Sequence, residues 1–148
     1  MSDGSEPVSG DEILYRRIPA DTGWYDPDQG DKASPHAFRA NRRDTDGISF
    51  HRGKYATAEE VCAKGREGKR YYVAELVASE LFASNLRVDP DPLGHDPGHC
   101  VLRDIHWDNA STDEVKGLKV LLAERLTRRV IGPYPGKRSA SPPPDSRT

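Results

Sequence analysis

The chain has 148 residues, of which 34% are hydrophobic, and a formal net charge of -2 at pH 7. This length and hydrophobic content support one core and a single domain. The near-neutral charge gives no indication of nucleic-acid binding, and no apolar run approaches the ~20 residues that a membrane-spanning helix requires. Two cysteines without regular spacing, and an N-terminus unlike a signal peptide, predict a reduced, cytoplasmic protein.

Small polar residues and proline dominate both ends of the chain. Residues 1–10 and 136–148 cannot bury enough apolar area to offset the entropy lost on ordering. We therefore expect a disordered leader and a disordered tail. The folded domain is predicted to span residues 11–135.

The first predicted element is a strand over residues 12–18, where branched and aromatic residues alternate with polar ones. The segment that follows contains many turn-forming residues and predicts a long loop with one short strand at 37–39. A turn at 44–47 then leads into a second strand at 48–52.

The middle of the chain predicts a helix, a strand and a second short helix. Thr57 and Glu60 form a capping box, because the hydroxyl can accept an exposed backbone N–H while the carboxylate reaches back. A helix over residues 58–64 is therefore expected. Residues 71–76 favour a strand, and residues 77–84 carry apolar side chains at helical spacing.

Residues 86–88 and 100–105 each predict a short strand, and the loop between them is rich in histidine. Four nearby residues are of types that bind zinc, namely His95, His99, Cys100 and His106. A strand that begins near His99 directs His99 and Cys100 to opposite faces of the sheet, and no second cysteine lies nearby. The sequence therefore predicts no metal site, and it leaves His99 as a candidate pocket residue.

The last predicted element is an amphipathic helix over residues 112–130. Ser111 and Glu114 form its capping box, and Gly132 with Pro133 supplies the stop. The apolar stripe along one face consists of Val115, Leu118, Leu122 and Leu126. Together the elements predict an α+β domain: a mostly β body, two short helices and a C-terminal amphipathic helix.

Two adjacent arginines occupy the first predicted strand. Arg16 and Arg17 must face opposite sides, and an inward guanidinium needs a carboxylate, a backbone carbonyl or a bound anion. If Leu14 and Ile18 face the core, Arg16 is the inward residue. An internal acid such as Glu75 explains an inward arginine as well as a bound phosphate does, so both interpretations stay open.

Several short motifs follow one another in a recognisable order. They are an L-x-R-R-I start, a serine before an A-F pair, an S-F strand after a turn, and a final P-x-H before a branched strand. Their residues are Leu14, Arg16, Arg17 and Ile18; Ser34, Ala37 and Phe38; Ser49 and Phe50; and Pro97, His99, Val101 and Leu102. This order resembles a widespread family of bacterial proteins of unassigned activity, and implies a bacterial domain without indicating a reaction.

A second series of motifs consists of LYR at 14–16, AFRAN at 37–41, GISF at 47–50 and TAEE at 57–60. This series resembles RES-type toxins and other members of the ADP-ribosyltransferase-like superfamily. In that superfamily a strand arginine or histidine holds the phosphates or ribose of NAD, and an aromatic side chain stacks on nicotinamide. The resemblance implies such roles for Arg16, Arg39, Tyr55 and Glu60.

The first functional hypothesis is an enzyme acting on NAD or a related nucleotide, with no other cofactor. One arginine of the first strand clamps phosphate, His99 or Glu60 polarises the ribose, and the loop 19–37 acts as a lid. The candidate catalytic residues are His99, Glu60 and Ser49, and the candidate NAD-binding residues are Arg16, Arg17, Arg39 and Tyr55.

The second hypothesis is a non-catalytic module, such as an antitoxin, immunity or adaptor protein. It would dock a protein partner through Trp24, Tyr25 and the helix at 112–130. The two hypotheses predict different geometries. An enzyme should bring an arginine of the first strand, Ser49 and His99 together around a concave pocket, whereas an adaptor should scatter them.

Overall fold

A computed structural model describes residues 3–137, in which six strands form one antiparallel sheet. The strands are β1 (Ile13–Pro19), β2 (Ile48–Arg52), β3 (Arg70–Val77), β4 (Val88–Pro90), β5 (His99–Leu102) and β6 (Arg129–Pro135), and the α-helices are α1 (Ala58–Ala63), α2 (Ala78–Ala83) and α3 (Asp113–Val120). Their order across the sheet is β4-β5-β2-β1-β3-β6. The predicted α+β class is confirmed, and the part of the expected tail beyond residue 137 lies outside the described residues.

The alternation of side chains gives the sheet two buried faces. One face carries the larger hydrophobic core, which includes Leu14, Ile18 and Phe50. The other face carries a smaller core, in which Val73 of β3 packs with Val61 of α1. Because neighbouring residues of a strand point to opposite faces, β1 contributes to both layers.

Helix α1 begins as its capping box predicts. The Thr57 hydroxyl accepts the Glu60 N–H at 3.2 Å, and the Glu60 carboxylate accepts the Thr57 N–H at 2.8 Å. The apolar side chains of Val61 and Cys62 are fully buried against the sheet. Strands β2 and β3, which precede and follow α1 in the chain, also lie where their patterns predict.

The prediction of a short strand at 37–39 is wrong. Residues Pro35–Phe38 form a 3₁₀ turn, in which the Ser34 hydroxyl accepts the His36 N–H at 3.3 Å. Proline at the first position of a helical turn has no N–H to satisfy, and its fixed φ suits the turn. The turn buries Phe38, so the apolar pattern here reports burial by a turn rather than by sheet pairing.

The two strands near the histidine loop also differ from prediction. β4 starts at Val88, where the predicted strand 86–88 ends, and it reaches Pro90 at the edge of the sheet, the position where a strand tolerates proline. β5 starts at His99 and ends at Leu102, three residues before the predicted end.

The final helix is shorter than predicted. Its N-cap is Thr112, whose hydroxyl accepts the Val115 N–H at 3.2 Å, rather than Ser111. After α3 the chain makes a wider π-helical turn, Leu121–Leu126. The helical turn ends at Thr127, whose N–H and hydroxyl both donate to the Leu122 carbonyl, at 2.9 and 2.7 Å.

Strand β6 is absent from the sequence-based prediction. It pairs with β3, and the predicted stop, Gly132 with Pro133, lies inside it. Glycine and proline disfavour a strand, which hides this one in the sequence, and the register between β3 and β6 is irregular between Tyr71 and Val73. β6 forms because β3 otherwise presents an unpaired edge.

The leader, expected to be disordered over residues 1–10, is described from residue 3 and packs against the sheet. Val8 belongs to the larger core. The fully buried Arg52 donates to the carbonyls of Gly4, Glu6 and Pro7 at 3.1, 3.0 and 3.3 Å. A single buried arginine thus supplies contacts that composition alone does not reveal.

The same arginine forms a two-pronged ion pair with Glu12. Nε and Nη2 of Arg52 lie 2.7 Å from Oε1 and Oε2 of Glu12, and both side chains are almost fully buried. Two parallel N–H donors match the two carboxylate oxygens, which is the strongest geometry for such a pair.

Within residues 3–137, no helix is long and apolar enough to cross a lipid bilayer.

Replacing Arg52 with Met should lower the free energy of unfolding by about 3 kcal/mol, because Glu12 then remains buried without its partner. Urea denaturation measures the loss. The matched control is Arg87→Met, which removes an arginine that is 72% exposed and paired with Asp89, and should cost less than about 1 kcal/mol. Equal losses in the two variants would contradict a buried, structure-determining pair.

Candidate functional site

The sheet opens between its two central strands. β1 and β2 pair at Leu14 with Arg52 and at Tyr15 with His51. β1 then continues to Pro19 and β2 begins at Ile48, yet no further residue pair joins these two described strands. Side chains rather than ladder hydrogen bonds therefore fill the space between them.

A cleft of about 740 Å³ lies at this opening. β1 contributes three lining residues, β2 contributes Ser49 and His51, β3 contributes Tyr71, and the rest come from the segments that follow β1 and α1. The cationic lining residues are Arg16, Arg17, Arg43, Lys64, Arg66 and Lys69, and the acidic ones are Asp21 and Asp44. The lining is therefore strongly basic although the whole chain carries a net charge of -2.

Arg16 is the arginine on the core face, next to the fully buried Leu14 and Ile18. Its acceptors are three backbone carbonyls, of Ala37 at 2.9 Å, Ser49 at 2.9 Å and Arg39 at 3.1 Å. Desolvation by burial lowers the pKa of Arg16 to about 10, so the guanidinium stays charged at neutral pH. Backbone carbonyls, rather than the internal acid Glu75, satisfy it, since Glu75 pairs with Arg129 at 3.1 Å.

Arg17 points to the opposite face, toward α1. Its Nη1 donates to the Val61 carbonyl at 3.1 Å, and its guanidinium lies 5.3 Å from the centre of the Tyr71 ring. Among residues 3–137, no carboxylate forms an ion pair with it and none of its other N–H groups is hydrogen-bonded. Burial lowers the pKa of Arg17, as expected for a cation held away from water. Arg17 is thus a fixed cation in the cleft with donors to spare.

Three strands place Ser49, His51 and His99 on the same face as Arg17. His51 is paired with Tyr15 of β1 on one side and with His99 of β5 on the other. Directly paired residues share a face, and so do residues two apart on one strand. Ser49 and Arg17 therefore join the histidines on the cleft side.

Ser49 and His99 are hydrogen-bonded to each other, and Asp91 orients the histidine. The Ser49 Oγ lies 2.9 Å from Nε2 of His99. On the other side of the ring, Nδ1 of His99 lies 3.0 Å from the Asp91 carbonyl and 3.2 Å from its carboxylate. Serine, histidine and aspartate thus form a continuous chain.

The acceptors around His99 determine its neutral tautomer. Both oxygens near Nδ1 can only accept hydrogen bonds, so the ring proton resides on Nδ1. Nε2 then presents a lone pair, and the Ser49 hydroxyl donates to it. This is the arrangement in which an imidazole can remove the proton of a serine hydroxyl.

A second histidine and carboxylate pair lies beside the first. His51 and Asp96 are buried, with Nδ1 of His51 3.1 Å from the Asp96 carboxylate but without the alignment of a hydrogen bond. Desolvation lowers the pKa of His51 more than the nearby Asp96 raises it. Desolvation also opposes ionisation of Asp96, but its contact with His51 and the Lys64 ammonium 3.9 Å away prevail, and its pKa falls. His51 is therefore neutral at pH 7 and Asp96 is charged.

Besides His99, three of the sequence-predicted site residues do not line the cleft. Glu60 is exposed and serves the cap of α1. Tyr55 donates to the Glu6 carboxylate and lies 5.5 Å from the guanidinium of Arg52. Arg39 is exposed and lies 5.4 Å from the Trp24 ring. The structure brings together Arg16, Arg17 and Ser49, with His99 directly behind Ser49.

Sequence reasoning did not include Asp91 or Asp96 among its candidates. The placement of His51 does follow from sequence, because it lies two residues after Ser49 in a correctly predicted strand and so shares its face. The two aspartates belong to the loop before β5, where no periodicity applies. No group of three or more His, Cys, Asp or Glu side chains in the described part of the chain could hold a metal ion.

The lowered pKa of His51 predicts a pH dependence of stability. The unfolded chain binds a proton at this residue near the ordinary pKa of ~6.5, while the folded protein resists it. Stability from neutral His51 is therefore complete above that pKa and is lost as the pH falls through the lower folded value. Between pH 7 and pH 5, His51→Gln should flatten the wild-type slope by up to ~1.4 kcal/mol per pH unit.

Urea denaturation at a series of pH values measures that slope. His95→Gln is the control, because it replaces an exposed histidine of the same region and should keep the wild-type slope. A wild-type slope retained in His51→Gln would contradict a buried neutral His51.

Comparisons with protein-family models, with curated proteins and with solved structures give no match, so the function of this chain has to be inferred from the geometry of its cleft.

Proposed function

We propose that this protein is an enzyme that binds NAD or a related nucleotide in the basic cleft and cleaves it. The observation that carries the proposal is Arg17, a half-buried cation with unused donors that faces a cleft lined by several further cations. Removing a charge from water without a carboxylate partner is costly, and an anionic ligand offsets that cost. A bacterial, cytoplasmic setting belongs to the same proposal.

The cleft suits a ligand that carries phosphates. Its volume of about 740 Å³ falls within the ~300–1,000 Å³ range of small-molecule sites. Guanidinium groups match two phosphate oxygens at once, which favours Arg17 as the phosphate clamp. Lys64 and Arg66 follow α1 and lie at the same side as Arg17, so they can neutralise a second phosphate.

Aromatic side chains support a planar base in the same cleft. Trp24 and Tyr71 both line it, and Tyr71 already stacks on Arg17. In the ADP-ribosyltransferase-like superfamily an arginine holds NAD and an aromatic ring stacks on nicotinamide. We assign those roles here to Arg17 and to Trp24 or Tyr71, because Arg16 is engaged by three carbonyls and Tyr55 lies elsewhere.

The segment after β1 forms one wall of the cleft. Asp21, Thr22 and Trp24 of this segment line the cleft, and the Asp21 carboxylate lies 2.8 Å from Nζ of Lys69, which follows α1. Both side chains of that pair are about half exposed, so salt and a competing phosphate weaken it readily. We propose that this segment acts as a lid over the bound nucleotide.

The alternative function is a non-catalytic module that docks a protein partner. Trp24 and Tyr25 support it weakly, since Trp24 packs with Arg39 and the Tyr25 ring lies 4.7 Å from that of Tyr72. A groove of about 600 Å³ beside α3 supports it better, because the groove contains Trp107, which is 43% exposed. Among the observations here, the clustering of Arg17, Ser49 and His99 favours the enzyme.

NAD and ADP-ribose should each raise the melting temperature of the wild-type protein, and chromatography should show NAD consumption. Arg17→Met removes charge-assisted hydrogen bonds of about 1.5–3 kcal/mol, so it should weaken binding ~10- to 100-fold in titration calorimetry. Arg42→Met is the control, because Arg42 is exposed and does not line the cleft. No thermal shift and no consumption with either ligand would refute the proposal.

A further inference from the structure

We propose that Ser49 is a covalent nucleophile that attacks phosphorus, with His99 as its general base and Asp91 as the residue that positions His99. The identity of the substrate rests on the proposed nucleotide-binding function, whereas the nucleophile rests on the geometry of three side chains. The bond cleaved in NAD is then the phosphoanhydride between its two phosphates, rather than the bond to nicotinamide.

The first step of the inference is the placement of Ser49. Its hydroxyl lies on the cleft side of β2, and within residues 3–137 its only side-chain hydrogen-bond partner is Nε2 of His99 at 2.9 Å. His99 itself does not line the cleft and is only 13% exposed, so it reaches the cleft through Ser49. A base behind a hydroxyl that faces a cavity is the arrangement required for a nucleophile rather than for direct proton transfer to a ligand.

The second step is the fixed orientation of His99. Two acceptors of Asp91 hold the proton on Nδ1, which keeps the Nε2 lone pair directed at Ser49. The carboxylate also stabilises the imidazolium that forms when His99 takes the serine proton. His99 belongs to a strand paired residue by residue with β2, so the hydrogen bond to Ser49 is held by the backbone on both sides.

The third step concerns the electrophile. The same opening of the sheet that exposes Ser49 also presents Arg17, and Arg16 donates to the backbone carbonyl of Ser49 at 2.9 Å. These cations favour an anionic centre near the hydroxyl and stabilise the charge that develops on phosphoryl oxygens in the transition state. A neutral ester or amide has no use for such a lining, so the electrophile is phosphorus.

In the first half of the reaction, Ser49 Oγ forms a bond to one phosphorus atom as His99 Nε2 takes its proton. The bond from that phosphorus to the bridging oxygen breaks, and the oxygen leaves with the electron pair as an oxygen of a terminal phosphate anion, which needs no proton. In the second half, water attacks the nucleotidyl-serine and loses its proton to solvent, the bond from Ser49 Oγ to phosphorus breaks, and Ser49 regains the proton that His99 holds. NAD and water thus yield AMP and nicotinamide mononucleotide.

An organophosphorus fluoride such as diisopropyl fluorophosphate tests the nucleophile without any assumption about the substrate. An activated serine displaces fluoride and forms an Oγ–P bond, which intact-mass and peptide mass spectrometry detect. We expect one adduct, on Ser49, in the folded wild-type protein. No adduct, or an adduct on another residue, would overturn the proposal without the need for a variant.

Variants assign the supporting roles. Ser49→Ala should abolish the adduct, and His99→Gln should slow labelling ~100-fold or more, as expected on removal of a general base. Ser79→Ala is the matched control, because Ser79 is exposed on α2 and should leave labelling unchanged. Circular dichroism melting identifies any variant that fails to fold.

Asp91 requires a readout that a merely structural role would not change. Asp91→Asn should shift the pH profile of the labelling rate and slow labelling ~10-fold, and Asp91→Glu should restore much of the rate. An unchanged pH profile in Asp91→Asn would overturn the positioning role. Equal losses of labelling rate in Asp91→Asn and Asp91→Glu, with the wild-type pH profile in both, would also overturn the positioning role.

The products of NAD separate this inference from the proposed function. Release of AMP and nicotinamide mononucleotide supports both. Release of nicotinamide with ADP-ribose supports NAD processing and overturns Ser49 attack on phosphorus. Labelling of Ser49 in a protein that neither binds nor consumes NAD supports the nucleophile and overturns the nucleotide proposal.

Discussion

The register of three neighbouring strands is the constraint on which the cleft depends. Tyr15 of β1, His51 of β2 and His99 of β5 lie in one row across the sheet. Because side chains alternate between faces, this row places Ser49 and Arg17 on the same side as the two histidines. A slip of one residue in either pairing would send half of these groups into the larger core, where their charges and hydroxyl would have no partners.

Two arginines, the buried Arg52 and the half-buried Arg16, maintain this register from opposite sides of the row. Arg52 donates hydrogen bonds to the Glu12 carboxylate and to three backbone carbonyls of residues 3–10. These contacts hold the leader against the end of β2. Arg16 replaces ladder hydrogen bonds where β1 and β2 separate, and its three carbonyl acceptors join the 3₁₀ turn to Ser49. The three backbone acceptors of Arg16 fix the geometry of its half-buried guanidinium, so the opening of the sheet has a defined structure.

Sequence patterns predicted the elements that are governed by local chemistry. β2 and the cap of α1 lie where strand periodicity and the capping box indicated, since both depend on residues a few positions apart. Strand β6 was missed because Gly132 and Pro133 lower its intrinsic propensity, and only the free edge of β3 makes it form. The turn at Pro35–Phe38 was mistaken for a strand because burial of Phe38 does not distinguish the two.

By itself, the sequence determined that Arg16 and Arg17 face opposite sides of a strand, and that Ser49 and the residue two places later share a face, because the pleat of a β-strand is a local property. Only the tertiary structure decided which face became the cleft and what each arginine contacts. The hydrogen bond between Ser49 and His99 joins residues 50 positions apart in the chain. Such a contact arises from the pairing of distant strands, and no local periodicity encodes that pairing.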